Sequence, residues 1–132
     1  MSFVIDASIV VAWAFKEPHA TAERALVLIK AEEAIVPALW WYELRNVLVR
    51  GERQGRLTER ETSRFLRDIS RLAITIDSLP NETQVLTLAR RHRLTVYDAA
   101  YLELAGRETL PLATLDEELA TAAQAEQVAL IG

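Results

Sequence analysis

The chain has 132 residues, a formal net charge of −4 and 51% hydrophobic residues, enough apolar content for one domain spanning 1–132. It contains no cysteine, which excludes disulfides, thiolate metal sites and cysteine nucleophiles and fits a reducing compartment such as the cytoplasm. The first apolar run has no basic segment before it, and no uncharged apolar stretch reaches the ~18 residues of a spanning helix, so we expect neither secretion nor membrane insertion.

Short apolar runs alternate with amphipathic segments, a pattern that predicts strands separated by helices. The runs too short for helices predict strands at 3–6, 34–36, 74–76, 112–114 and 128–131. The segments between them predict helices over 8–15, 20–31, 39–54, 58–72, 82–91, 97–107 and 117–125. Because strands that alternate with helices form parallel sheets covered on both faces, the sequence predicts an α/β fold with a mostly parallel central sheet.

Positive charge is concentrated in one part of this acidic chain. Residues 44–71 contain eight arginines and four acids, whereas residues 98–132 contain seven acids and one arginine. One helix in the basic part begins with a capping box at Thr58 and Glu61. Arginines recur along one side of that helix at Arg60, Arg64, Arg67 and Arg71. Since guanidinium groups bind phosphates and carboxylates equally well, the partner is a nucleic acid or an acidic protein segment, unless this side is only solvated.

Four acids lie where ligands bind in open α/β sheets, beyond the carboxyl ends of strands. Asp6 closes the first strand, Asp116 follows the fourth, Glu43 lies early in the helix after the second, and Asp98 lies at a helix start. Each has a structural explanation when taken alone, and we expect Asp98 to cap its helix. Together they predict a site for a hard cation, with Mg²⁺ or Mn²⁺ favoured over zinc because the ligands are carboxylates.

Other chemistries find little support. The four glycines are scattered, so they cannot form a phosphate-binding loop or a dinucleotide fingerprint. His19 and His92 have no plausible serine and acid partners, and we expect both at the surface. The helical spacing of Trp13, Trp40 and Trp41 predicts packing in the core or at a subunit interface rather than base stacking.

Segments around the four acids resemble the PIN-domain family, and in size and layout the VapC-type toxins of bacterial toxin–antitoxin pairs. The resemblance spans nearly the whole chain. It is carried by VIDAS at 4–8, WYELRNVL at 41–48 after Pro37, LTVYDAAY at 94–101 and LATLD at 112–116. Each segment alone is a weak signal, but all four in this order make a specific one.

The resemblance implies a three-layer α/β/α sandwich and an endoribonuclease that depends on Mg²⁺ or Mn²⁺. Its catalytic and metal-binding acids would be Asp6, Glu43, Asp98 and Asp116. Ser8 and Thr114 match positions that assist these acids by hydrogen bonding, and Glu117 is an alternative ligand beside Asp116. The resemblance also implies an RNA substrate, an antitoxin partner and a homodimer. Contacts to RNA or antitoxin are expected from Arg45, Arg60, Arg64, Arg67 and Arg71.

Two other functions compete with this interpretation. A phosphatase with Asp6 as a covalent nucleophile would need a second aspartate two residues later, where this chain has Ser8. A non-catalytic PIN-like binding domain would retain the acids for structure alone, and the presence of all four acids argues against it.

Overall fold

The computed structural model describes residues 1–132 and contains four strands, all paired in parallel. They are β1 at Ser2–Ile5, β2 at Glu33–Val36, β3 at Ile74–Ile76 and β4 at Leu112–Ala113, and their order across the sheet is β3-β2-β1-β4. Seven helices flank the sheet: α1 at Ala7–Ala14, α2 at Ala20–Leu28, α3 at Leu39–Arg53, α4 at Glu59–Ser70, α5 at Glu82–His92, α6 at Val96–Glu108 and α7 at Glu117–Ala125. The predicted α/β/α fold with a parallel central sheet is therefore confirmed.

The core is built around β1 and α6. Phe3, Val4 and Ile5 of β1 are fully buried, as expected for an inner strand of a parallel sheet with both faces covered. Helix α6 is buried at every position from 99 to 105, so it lies inside the domain rather than on its surface. Neither α6 nor any other helix combines the length and apolar character needed to cross a membrane.

Two predicted elements are shorter in the structure. The predicted closing strand at 128–131 is reduced to a single parallel bridge between Leu112 and Leu130, because the neighbouring β4 offers only two residues for pairing. The predicted helix over 20–31 ends at Leu28. Lys30 and Ala31 then donate to carbonyls three residues back, which tightens the chain into a turn before β2.

The predicted capping box is present at the start of α4. The backbone N–H of Glu61 donates to Thr58 Oγ1 at 3.1 Å, and the N–H of Thr58 donates to Glu61 Oε1 at 2.9 Å. Only Ile69 of this helix is buried, so α4 packs on the outside of the domain and leaves its charged side in solvent.

Ion pairs neutralise some of the acids in residues 98–132. Glu103, which is 2% exposed, accepts from Arg107, which also reaches Asp77 at 2.7 Å and so ties α6 to the residue after β3. Glu126 pairs with Arg91 at 2.8 Å and with His92 at 2.6 Å. The His92 side chain is only 14% exposed, so the expectation that it lies at the surface is wrong. The acids of this region without a basic partner are Asp98, Asp116, Glu117 and Glu118.

Candidate active site

Asp6 lies at the junction between β1 and α1 and is 4% exposed. The Ser8 hydroxyl donates to one oxygen of its carboxylate, and the Thr114 hydroxyl donates to the other. Thr114 directly follows β4, which pairs in parallel with β1, so the two strands deliver both residues to the same edge of the sheet. The contacts agree with the supporting role that the resemblance implies for Ser8 and Thr114.

The two hydroxyls are themselves fixed by the backbone. Ser8 Oγ accepts from the N–H of Leu115 at 3.0 Å, and Thr114 Oγ1 accepts from the N–H of Asp116 at 3.0 Å. A hydroxyl has one proton, and an amide occupies a lone pair of each oxygen here, so each proton points to Asp6. Asp6 is therefore held in one orientation as a hydrogen-bond acceptor on both oxygens.

Burial raises the pKa of Asp6 to about 6. The hydrogen bonds from Ser8 and Thr114 oppose this rise, whereas the negative charge of Asp98 adds to it. A bound cation would favour the ionised form, so a carboxyl with this pKa is suited to bind a metal near neutral pH.

Glu43 lies in the second turn of α3, partly buried. Its Oε1 accepts a hydrogen bond of 2.6 Å from the hydroxyl of Tyr101, on α6. Burial raises the pKa of Glu43, the Tyr101 hydrogen bond lowers it, and the charge of Asp98 raises it again. Glu43 therefore belongs to the same electrostatic cluster as Asp98.

Asp98 lies in the first turn of α6, but the cap of that helix is Thr95, whose Oγ1 accepts from the N–H of Asp98 at 3.1 Å. The expectation that Asp98 caps the helix is therefore wrong, and its carboxylate is available for another role. Burial raises the pKa of Asp98, followed by the charges of Asp116 and Glu118. The charge of Asp98 in turn raises the pKa of Asp6 and that of Glu43. Asp98 therefore interacts electrostatically with each of the other three acids.

Asp116 is the N-cap of α7, and its Oδ1 accepts from the N–H of Leu119 at 3.0 Å. Oδ2 makes no hydrogen bond and is free for a ligand. Both glutamates that follow line a surface depression beside His92 and Arg93, but only the charge of Glu118 raises the pKa of Asp98. A role for Glu117 as an alternative ligand stays a prediction, and Glu118 is the neighbouring acid that sequence reasoning missed.

The donor atoms at this end of the sheet suit a hard cation, because carboxylate oxygens are what Mg²⁺ and Mn²⁺ prefer. No three histidine, aspartate or glutamate side chains are already arranged to hold a metal ion, however. The expectation that the four carboxylates lie close enough to share a cation is thus not met in this arrangement. The charge of Asp98 raises the pKa of both Asp6 and Glu43, so the three acids interact electrostatically.

The candidate RNA or antitoxin contacts from Arg60 to Arg71 are exposed and mostly free. Arg60, Arg64 and Arg67 make no ion pair, and Arg71 pairs only with Asp68, at 3.8 Å, with both side chains in solvent. Such a pair contributes little, so the positive charge of α4 is available to a partner.

Arg45 lies apart from α4. Its guanidinium stacks 3.8 Å from the centre of the Trp41 ring and donates to the Trp41 carbonyl at 3.1 Å. The prediction of core packing is confirmed for Trp40, which is 4% exposed, but not for Trp41, which is 42% exposed. Trp13 is partly buried and joins α1 to α2 through a 2.8 Å hydrogen bond from its Nε1 to the Ala22 carbonyl.

Comparison with known proteins agrees with the fold. The family model for the PIN domain matches residues 3–125, and the chain belongs to the PIN-domain family. Ribonuclease VapC3 of Pyrobaculum aerophilum is 36% identical over 124 residues, which cover 91% of this chain and 93% of that protein.

Solved structures share the fold over almost the whole chain. PAE2754 from Pyrobaculum aerophilum superimposes with a TM-score of 0.74 at 26% identity, covering 99% of this chain and 92% of that one. A toxin–antitoxin complex from Klebsiella pneumoniae gives a TM-score of 0.64 at 19% identity, covering 89% and 90% of the two chains. The likeness to the latter concerns the fold alone.

Proposed function

We propose that the protein is an endoribonuclease dependent on Mg²⁺ or Mn²⁺, and that it is the toxin of a type II toxin–antitoxin pair. The observation that carries this is the cluster of acids without basic partners at the carboxyl end of the parallel sheet. Its catalytic and metal-binding members are Asp6, Glu43, Asp98 and Asp116. Membership of the PIN-domain family and 36% identity to a ribonuclease support the proposal.

The chemistry follows from the properties of the acids. Hydrolysis of a phosphodiester needs a nucleophilic water and a stabilised leaving oxygen, and a divalent cation held by carboxylates supplies both. Asp6 is the fixed point of the site, because Ser8 and Thr114 hold both of its oxygens. Asp98 links the other acids, and the free Oδ2 of Asp116 is available to the cation.

The acids alone would repel RNA, so the substrate needs cationic contacts elsewhere. The exposed arginines of α4 supply sequence-independent contacts to phosphates. Arg45 lies two residues after Glu43 and combines a positive charge with the exposed Trp41 ring. We assign these arginines to RNA positioning or to an acidic segment of the antitoxin.

An antitoxin and a second copy of the chain are the proposed protein partners, and the cytoplasm is the proposed place of action. Helix α3 exposes Trp41, Tyr42 and Val49, which recur at helical spacing along one side. Apolar side chains arranged in this way are typical of protein interfaces. The structural neighbour described as a toxin–antitoxin complex has the same fold.

Removal of divalent metal should abolish the activity. We expect the purified protein to cleave structured and tRNA-like RNAs with Mn²⁺ or Mg²⁺, to stop cleaving in EDTA, and to recover when Mn²⁺ is returned. The readout is RNA fragmentation on a denaturing gel. Cleavage that persists in EDTA would contradict the metal requirement. RNA binding without fragmentation at any metal concentration would favour a binding domain, and phosphate release from small esters alone would favour a phosphatase.

The arginines of α4 are tested by the double substitution Arg60→Ala and Arg64→Ala. If they bind RNA, affinity should weaken similarly for all sequences, and the log–log salt dependence should flatten by about one unit for each phosphate that is no longer neutralised. If they bind the antitoxin, RNA affinity should be unchanged and complex formation weaker. Arg24→Ala, at an exposed position without an ion pair on α2, is the matched control. No change in either assay would mean that this side of α4 is only solvated.

A further inference from the structure

Tyr101 is a buried polar residue that sequence reasoning did not connect with the site. It is 1% exposed and heads the largest fully buried side chains of the domain. It lies on α6 three residues after Asp98, in the part of that helix where every position is buried. A phenolic hydroxyl in such surroundings is costly unless it has a hydrogen-bond partner. Its partner is Glu43 Oε1, 2.6 Å away and 58 residues earlier in the chain.

The hydroxyl of Tyr101 contacts Glu43 and is also affected by the negative charge of Asp6. Burial and the hydrogen bond to Glu43 raise the pKa of Tyr101, and the charges of Glu43 and Asp6 raise it further. The backbone N–H of Ala7, next to Asp6, acts in the opposite direction. Glu43 Oε1 is the acceptor of the hydrogen bond at 2.6 Å, so the Tyr101 hydroxyl is the donor.

Glu43 depends on this single contact for its orientation. Asp6 is held by two hydroxyls and Asp116 by the first turn of α7, whereas Glu43 makes no hydrogen bond other than the one from Tyr101. A glutamate has three side-chain torsions and loses considerable freedom when it is fixed. The Tyr101 bond occupies Oε1 and leaves Oε2 free.

We propose that Tyr101 is a positioning residue, which orients the Glu43 carboxylate so that its free oxygen can bind the divalent cation. The inference rests on the proposed function of the acids and adds a residue to it. Tyr101 would not contact RNA or the metal, since its hydroxyl is buried against Glu43. The role resembles that of the outer groups that orient metal ligands in general, whose removal lowers metal affinity or activity.

The test is Tyr101→Phe, which keeps the buried ring and removes only the hydroxyl. We expect Mn²⁺ affinity, measured by titration calorimetry, and kcat for RNA cleavage each to fall by about 10- to 100-fold, with KM for RNA unchanged. Tyr97→Phe is the matched control, because Tyr97 is on the same helix but 62% exposed, and it should behave as the wild type. Thermal melting of the metal-free variants establishes that both are folded.

A double-mutant cycle separates positioning from a general effect on packing. If Tyr101 acts through Glu43, then Tyr101→Phe should cause no further loss of Mn²⁺ affinity in a Glu43→Gln background. Additive losses, or a Tyr101→Phe protein with wild-type Mn²⁺ affinity and kcat, would overturn the inference while leaving the nuclease proposal intact. A wild-type protein that neither binds Mn²⁺ nor cleaves RNA would overturn both.

Discussion

Asp6→Asn should abolish metal-dependent RNA cleavage, with a loss of more than about 100-fold, while the protein stays folded. The substitution keeps the shape of a side chain that is 4% exposed but removes its negative charge. An amide cannot bind a hard cation as a carboxylate does. Asp68→Asn, at an exposed position on α4, is the matched control and should cleave at the wild-type rate.

The same variant should be as stable as the metal-free wild type at pH 7.5, or more so. Folding raises the pKa of Asp6 from 3.8 to about 6, so its ionisation costs about 3 kcal/mol. The protein keeps this free energy of unfolding below pH ~4, where Asp6 is protonated in both the folded and the unfolded state, and loses it as the pH rises through about 6. Asn avoids this loss, although one of the two hydroxyls, that of Ser8 or that of Thr114, then points its proton at the amide nitrogen, which offsets part of the gain.

Thermal melts between pH 4 and 7.5, with and without Mn²⁺, decide the matter. Mn²⁺ should raise the melting temperature of the wild type and not that of Asp6→Asn, because a ligand stabilises only the protein that binds it. Should Asp6→Asn cleave RNA at the wild-type rate, Asp6 would not be part of the site.

Asp98→Asn should have a comparable effect on cleavage and a broader effect on the charges of the site. Asp98 is the acid whose charge acts on Asp6 and Glu43, and it is itself affected by Asp116. We expect a loss of cleavage of more than about 100-fold, measured at saturating Mn²⁺. We also expect lower pKa values for Asp6 and Glu43 in the metal-free protein, because one repelling charge is gone.

The dependence of stability on pH reports this second effect. Asp6, Glu43 and Asp98 all have raised pKa values, so the stability they contribute is present below about pH 4 and is lost as the pH rises through their folded values. The Asp98→Asn variant lacks the Asp98 carboxyl, and the pKa values of Asp6 and Glu43 are raised less than in the wild type. Its free energy of unfolding should therefore fall less steeply between pH 4 and 7 than that of the wild type. A fall identical to that of the wild type would mean that Asp98 does not interact with the other acids.

The convergence of acids at one end of the sheet is the part of the site that sequence predicts best. Strands separated by helices form parallel sheets, and the carboxyl ends of parallel strands meet at one edge. That reasoning places Asp6 with the residues after β4, and the hydrogen bond from Thr114 to Asp6 confirms it. The order of the strands, which makes β1 and β4 neighbours, is not visible in the sequence, because it depends on how the helices pack.

Side-chain partners far apart in the sequence account for most of what the sequence does not predict. The bond from Tyr101 to Glu43 depends on how α6 is rotated against α3, which only tertiary packing determines. The sequence could have predicted Thr95 as the N-cap of α6, because an N-cap threonine usually accepts from the backbone N–H three residues later, which here is that of Asp98. The ion pair between Arg107 and the buried Glu103 has the i, i+4 spacing that a sequence shows. The second ion pair of Arg107, with Asp77, joins residues 30 apart and has no such spacing.

Crystals of the protein soaked in Mn²⁺ and measured at the manganese absorption edge test the central claim most directly. Binding at the proposed site predicts an anomalous peak at the carboxyl end of the sheet, with oxygens of Asp6 and Asp98 at about 2.0–2.2 Å as for a hard divalent cation. The free oxygens, Oε2 of Glu43 and Oδ2 of Asp116, should coordinate the same ion. A protein that cleaves RNA with Mn²⁺ but shows its only peak away from these four acids would contradict the account.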